Sequence, residues 1–423
     1  MKYLFFCSII IISFFTLESC SDSASTNDSR DVIKPLGTVE DAIPDQYIVQ
    51  LKNDVVGPPS LLKLDRSKNY SREEKGSLME KLNKETEVKI KAWLANNGIF
   101  EEEVLHIYTA ATIGAAVRIS SEKFEKLKTN QDIETLSYDR MISIPNYQVE
   151  SIERSGGLRM QTTPCGITNA GGFANANTSR WAWVVDSGID LDHPDLNVVT
   201  NSLYAKSFVG GNADDCNGHG THVAGTIAAR NNSIGVVGVA AGAPVVPVKV
   251  FGCSGGSPSS TIISGINHVA TYDSPGDVLN LSLGGAWNAG NCATTCNYFT
   301  SVTNIANSGT RVAIASGNNF GNAANVQPAC INGTNIFTVT NMRCNGTYYD
   351  DINTGGNWGR PPVDFIATGT SVLSTFLNGG YATLTGTSMA TPHVAGIMHV
   401  RNAAPLTNGT VTFSGVNYPI AVR

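Results

Sequence analysis

Trp181-Ala182-Trp183-Val184-Val185-Asp186-Ser187-Gly188 is the stretch on which the fold turns. Its first five residues form a continuous apolar run, as in a strand buried on both faces, and an acid and a glycine close the run where the chain must bend. Similar apolar runs recur at 245–251, 278–283, 310–315, 336–340 and 363–367, with helical patterns at 220–230, 260–272, 298–307 and 387–400. Buried strands separated by helices predict an α/β chain of three layers, a mainly parallel sheet flanked by helices on both sides. In such sheets ligands gather beyond the carboxyl ends of the strands, so Asp186 stands where chemistry is expected.

The 423 residues leave room for more than this unit. With 42% hydrophobic and only 15% charged residues the chain is ordinary globular material, and a net charge of -6 without basic runs argues against a nucleic-acid partner. Residues 1–19 read as an export signal: Met1-Lys2 is positive, 3–17 is nearly all apolar, and the run is too short for a comfortable membrane span. Leu17-Glu18-Ser19-Cys20 resembles the lipobox of bacterial lipoproteins, with Glu18 a poor match, so lipid attachment at Cys20 and plain cleavage both stay open. Either route places the protein outside the cytosol, secreted or in the cell envelope, with the membrane reached only through a lipid anchor. Residues 20–43 are polar and read as a flexible linker. Between 44 and 145, extended runs at 47–51, 115–119 and 133–141 alternate with helical patterns at 71–95 and 121–129, which suggests a small α/β domain. Export also makes disulfides the expectation for the seven cysteines beyond Cys20, an odd number that leaves at least one outside an internal pair.

Three local texts carry reactive side chains. Asp186 ends its strand. His219 lies in Asn217-Gly218-His219-Gly220-Thr221-His222-Val223-Ala224-Gly225, where glycines on both sides let the backbone bend and keep bulk away from the imidazole. His222 follows at three residues, but the pair lacks the acidic partner of a zinc-binding helix. Ser388 lies in Gly386-Thr387-Ser388-Met389-Ala390-Thr391-Pro392-His393. Pro392 implies a helix that has only just begun there, which puts the Ser388 hydroxyl at a helix N-terminus, where free N–H groups favour developing negative charge. An acid, an imidazole and a hydroxyl together are the requirement for activating a weak oxygen nucleophile.

In the order Asp, His, Ser, these texts resemble the three signature regions of the subtilisin family, with features of its proteinase K branch, over roughly residues 160–400. The resemblance implies a three-layer subtilisin-like fold and a serine endopeptidase in which Ser388 attacks, His219 moves the proton and Asp186 orients the ring. It further implies Asn318 as oxyanion donor. Gly255, Gly256 and Ser257, with Ser282, Leu283 and Gly284, become edges that pair with a polypeptide substrate, and Ala315, Ser316 and Gly317 the wall of a roomy pocket with broad, apolar or aromatic preference. Residues 44–145 resemble an inhibitor I9-type propeptide of ferredoxin-like fold, through Asp45-Gln46-Tyr47-Ile48-Val49-Gln50-Leu51 and 133–139. This implies an intramolecular inhibitor of a catalytic domain at 146–423, removed by self-cleavage somewhere within 141–161. A Ca2+ site is implied at Asp195 and Asn232 through side chains and at Arg230, Ile234 and Val236 through carbonyls. The resemblance also pairs Cys216 with Cys253, and local pairings of Cys330 with Cys344 and of Cys292 with Cys296 are the guess for the rest. A monomer is expected. The rival classes are a scaffold that keeps the fold without catalysis, and a hydrolase of esters.

Overall fold

The computed structural model describes residues 33, 36, 42–153, 160–287, 291–351 and 355–423; the export signal and Cys20 lie outside them. The main sheet is ordered, by strand, Leu406–Phe413, Val416–Val422, Val363–Thr368, Ile336–Met342, Arg311–Ala315, Val278–Leu281, Ala182–Asp186, Pro244–Lys249 and Asn197–Val198, with Lys206–Ser207 also on Pro244–Lys249. The strands from Val363–Thr368 across to Pro244–Lys249 pair in parallel. Successive side chains of one strand divide between the two faces. Val184 joins the core beneath the helices His219–Ala228 and Thr387–Arg401, while Trp183 and Val185 join the core beneath Ser259–Tyr272 and Phe299–Asn307. Burial on both faces is why these strands read as unbroken apolar runs.

The strand order reverses between Ala182–Asp186 and Val278–Leu281: chain order runs outward to Pro244–Lys249 on one side and to Arg311–Ala315 on the other. At that switch point the loops after adjacent strands diverge and open a crevice at the carboxyl edge. Asp186 and Ser282 stand at its two lips.

Residues 42–143 supply four strands of a second sheet, in the order Ile133–Ser143, Ala42–Leu51, Gly114–Arg118, Val104–Tyr108, all antiparallel, and Gly256–Pro258 of the larger unit adds a fifth beside Ile133–Ser143. With the helices Arg72–Asn96 and Ser121–Leu127 the first four make a βαββαβ unit of ferredoxin-like order. One sheet face, including Val49, Val117 and Leu136, packs with Ile90, Trp93 and Phe124 of the helices. The other, including Ile48 and Ala116, lies in the same core as Ile263 and Ile266 of Ser259–Tyr272. Polar groups finish that contact: Asp139 accepts from the Ser260 N–H and hydroxyl at the start of that helix, and Asn267 Oδ1 accepts from the Ala110 and Ala111 N–H groups. Helix Arg72–Asn96 opens with a reciprocal Ser71–Glu74 capping box.

Part of the expected linker is docked. Ile33 N–H donates to Lys128 O, and Leu36 exchanges backbone hydrogen bonds with Leu136 and Tyr138 beside the last strand of the small unit. An unpaired strand edge offers N–H and C=O groups to any neighbouring backbone, which a reading of side-chain polarity misses.

Candidate active site

The helix His219–Ala228 starts from Gly218, at φ +100, a backbone that L side chains rarely adopt. Gly220 is required sterically: a Cβ there would lie 2.1 Å from Gly188 O. This close approach sets His219 Nδ1 at 2.8 and 3.0 Å from the two carboxylate oxygens of Asp186, all of it fully buried. Asp186 Oδ1 also accepts from Ser187 N–H, which fixes the carboxylate. His219 Nε2, on the far side of the ring, has no hydrogen-bond partner among the described residues. His222 faces elsewhere, its Nε2 2.9 Å from Val372 O and 3.2 Å from Ala382 O, and burial pushes its pKa down to about 3. It is a neutral structural ring.

Ser388 is the second residue of Thr387–Arg401, and Pro392 lies beyond the first turn instead of within it. Proline has no N–H to give the carbonyl four residues back, that of Ser388. The Ser282 hydroxyl donates to this carbonyl instead, at 3.0 Å, while Ser388 Oγ donates to Ser282 O at 3.4 Å. The proline thus ties the two lips of the crevice together. Asn318 is oriented by the same helix start: its Oδ1 accepts from Thr387 N–H and Oγ1, both at 2.7 Å, leaving Nδ2 to face the crevice. There it donates to the backbone carbonyl of Asn146 at 2.7 Å.

The stretch around Asn146 runs directly through the crevice. Met141, Ile142 and Ser143 pair antiparallel with Pro258, Ser257 and Gly256, Ser143 also bridges Gly284, and Ile144 N–H donates to Gly255 O. Asn146 adjoins a hollow lined by Gly284, Gly285, Gly317, Asn319 and Val326. Next along the chain, the ring of Tyr147 lies 5.1 Å from that of His219. Residues 148–153 then pair antiparallel with Gly380–Thr385. Ser316 and Gly317 are locked behind the hollow by Asn357, whose Nδ2 donates to Ser316 O and whose N–H donates to Gly317 O. Leu283 and Ala315 are fully buried beneath it. Sequence reasoning missed Asn146, Tyr147 and Thr387; the one available signal was that the last strand of the small unit leads into Pro145-Asn146 without a turn.

The loop expected to hold calcium does close around Asp195. Asn232 Nδ2 and Val236 N–H donate to its carboxylate at 2.8 and 3.1 Å, Tyr381 OH donates at 3.3 Å, and Arg230 N–H donates to its main-chain carbonyl. Ile234 N–H caps Asn232 Oδ1, and Gln161 Nε2 reaches Arg230 O. Burial pushes the Asp195 carboxyl up to about 6 against these donors. A carboxylate, a side-chain amide and main-chain carbonyls gathered in one loop are the hard oxygen donors Ca2+ takes. The residues present therefore fit the ion, and Gln161, which reaches Arg230 O, is a neighbour the sequence reading did not include.

Cys216 is bonded to Cys253, as expected. The guessed local pairs are not formed: Cys344 bonds Cys165, Cys330 bonds Cys292, and Cys296 stays reduced and buried. Cys292 and Cys296 stand at the two ends of the single turn Cys292–Thr295, and Cys330 comes from another part of the chain to meet Cys292. Burial pushes the Cys296 thiol up to about 12.

A family model described as "Subtilase family" matches residues 183–408. The chain is 30% identical over 391 residues to the "Extracellular serine proteinase" of Thermus sp. (strain Rt41A), covering 92% of this chain and 87% of that protein. It is 32% identical to "Proteinase R" of Parengyodontium album over 69% of this chain and 70% of that protein. With the "Alkaline serine exoprotease A" of Vibrio alginolyticus it shares 30% identity over 71% of its own length but spans only 54% of that protein. A solved structure titled "Crystal structure of a cold adapted subtilisin-like serine proteinase" is 34% identical, with a TM-score of 0.46 over 54% of this chain and 77% of that one.

Proposed function

The chain belongs to the subtilase family of serine proteases, and from that premise we propose that it is an exported endopeptidase precursor whose first substrate is its own Asn146–Tyr147 bond. One observation carries this reading: the Asn146 carbonyl accepts from Asn318 Nδ2 while the residues before it are paired as a strand between Gly256 and Gly284. A carbonyl held by an amide donor beside a helix N-terminus is polarised where an oxyanion would form.

In this mechanism Ser388 Oγ leaves Ser282 O by a rotation about χ1 and gives its proton to the unpartnered Nε2 of His219. Asp186, on Nδ1, holds the tautomer that makes Nε2 the acceptor and stabilises the imidazolium. Oγ bonds to the Asn146 carbonyl carbon, and the electron pair moves onto the oxygen facing Asn318. Collapse of that intermediate breaks the bond to the Tyr147 nitrogen, which takes the proton back from His219; water then releases the acyl group by the same steps in reverse. The segment from residue 44 to 146 thereby acts as a propeptide, bound as an intramolecular inhibitor. The edges at Gly255–Ser257 and Ser282–Gly284 accept extended polypeptides by strand addition, which favours peptide over simple ester substrates. The hollow beside Gly317 has small walls and takes side chains broadly, including the polar Asn146.

Calcium at Asp195, Arg230, Asn232, Ile234 and Val236 braces this domain, with Gln161 as an additional oxygen donor. When bound, the ion offsets the cost of a buried carboxylate. Residues 1–19 direct export, and lipid attachment at Cys20 remains a separate branch of the same route.

The test is N-terminal sequencing of the wild-type and Ser388→Ala products. Wild type is expected to yield a chain beginning at Tyr147 and a serine that a fluorophosphonate labels stoichiometrically, while Ser388→Ala stays joined at this bond and unlabelled. Cleavage elsewhere, or unchanged cleavage in the variant, would sink the reading.

A further inference from the structure

Away from the crevice, the first turn of helix Arg72–Asn96 puts a guanidinium into a pocket made wholly by the catalytic unit. Arg72 Nη1 and Nη2 bind Asp277 Oδ2 and Oδ1 at 2.7 and 3.0 Å, Nη1 also donates to Tyr272 O at 2.8 Å, and Cζ lies 3.8 Å from the centre of the Trp181 ring. This is a planar bidentate carboxylate contact with an aromatic wall, the combination that separates guanidinium from ammonium. Three residues on, the Lys75 ammonium meets Asp273, whose carbonyl it also reaches.

The pocket does not depend on its occupant. Asp277 is held independently by Trp181 N–H, Trp183 Nε1–H and Ser274 N–H, at 2.8, 2.9 and 3.0 Å. Asp273 Oδ2 accepts from the hydroxyls of Thr310 and Ser308. Tyr204 stacks edge-on against Trp181, ring centres 4.9 Å apart. Both acids sit at the carboxyl end of helix Ser259–Tyr272, where free carbonyls add to the pull on a cation. The helix is 14 residues long, so the pocket lies about 20 Å from the substrate edge at its other end. Removing the small unit uncovers both carboxylates while their own donors still hold them in place, so a preformed anionic site with an aromatic wall is left open to another cation.

We propose that Trp181, Asp277 and the Tyr272 carbonyl form a guanidinium-binding exosite, filled by Arg72 in the precursor and offered in the processed protease to an arginine on a helix of a protein substrate. A lysine three residues after that arginine meets Asp273. The availability of the site to a second protein rests on the proposed removal of the segment up to residue 146; the pocket's preference for guanidinium does not.

Two measurements test it. In the uncleaved Ser388→Ala chain carrying Arg72→Ala, methylguanidinium at low millimolar concentration is expected to raise the melting temperature by a few degrees, with methylammonium at the same concentration having no effect. Equal effects, or none, overturn the proposal. Should Arg72→Ala fail to fold, processed wild-type enzyme blocked at Ser388 by a fluorophosphonate is titrated with a peptide of residues 71–96, followed by tryptophan fluorescence. The wild-type peptide should bind, and its Arg72→Lys version about tenfold more weakly; equal binding of the two, or no binding, overturns it. A chain that never cuts itself yet binds methylguanidinium would refute the precursor reading alone, and a chain that cuts itself but ignores methylguanidinium would refute the exosite alone.

Discussion

Three histidines outside the crevice enter the fold as neutral rings. Burial pushes His222 down to about 3, and His268 and His393 to about 4, against an unfolded value near 6.5. Because the folded values lie below the unfolded one, the unfolded chain takes up protons first as pH falls. Stability is therefore full above about pH 6.5 and drops at roughly 1.4 kcal/mol per pH unit for each ring, until the folded values are reached. Buried carboxylates raised to about 6, Asp195 among them, work in the opposite direction below that pH, so the test is a difference: between pH 6.5 and 4, His268→Gln should lose less melting temperature than the Ser388→Ala parent, and an unchanged pH dependence would reject the assignment. For catalysis, Asn318→Ala is expected to lower kcat by roughly 10²- to 10³-fold with little change in KM, the magnitude known for a subtilisin donor of this kind. Asp186, His219, Ser388 and Asn318 were legible because each lies in a local text shaped by its chemistry, with glycines or small residues where close approach is needed. Asn146 was not, since its backbone carbonyl is what matters and no side chain marks it. Cys165 with Cys344 was equally invisible: 179 residues separate them, and pairing depends on where the folded chain brings them.

Among elements, those buried on both faces were legible and those made by a partner were not. Ala182–Asp186 and its neighbours announce themselves through unbroken apolar runs, whereas the three-residue strand Gly256–Pro258 exists only through its pairing with 141–143. That edge is held from behind by Cys216–Cys253, and Asn217 Nδ2 donates to Cys253 O. Replacing both cysteines with alanine should remove about 2–4 kcal/mol of stability. It should also raise KM for long peptides more than for short ester substrates, since only the long ones use the edge. Comparing the two KM ratios checks this, and equal ratios would separate the bridge from substrate binding. The helix Thr387–Arg401 was read from its pattern at 387–400, but Pro392, expected in its first turn, lies one turn further in. The structure gives that proline another use, freeing the carbonyl that Ser282 binds.

Burial holds the Asp195 carboxyl up at about 6 in spite of its hydrogen-bond donors, so the proposed calcium has a consequence for the stability of the whole catalytic domain. Chelation should lower the melting temperature of the processed enzyme, calcium should restore it, and Asp195→Ala should abolish the response; a calcium effect that survives Asp195→Ala would move the site elsewhere. Division of the chain into a small α/β unit and a larger three-layer one was legible from periodicity, but their contact was not, because no local pattern states which faces of two units meet. That contact bears on timing. The chain is fastened on both sides of Asn146–Tyr147, to Gly256 and Gly284 before the bond and to Gly380–Thr385 after it. The proposed hydrolysis would sever one covalent link and leave both sets of strand pairs in place, so the nicked molecule would still be plugged. On that proposal, the onset of activity toward other proteins follows the escape of a fragment held by strand pairs alone, with a lag set by unzipping and independent of how fast Ser388 reacts.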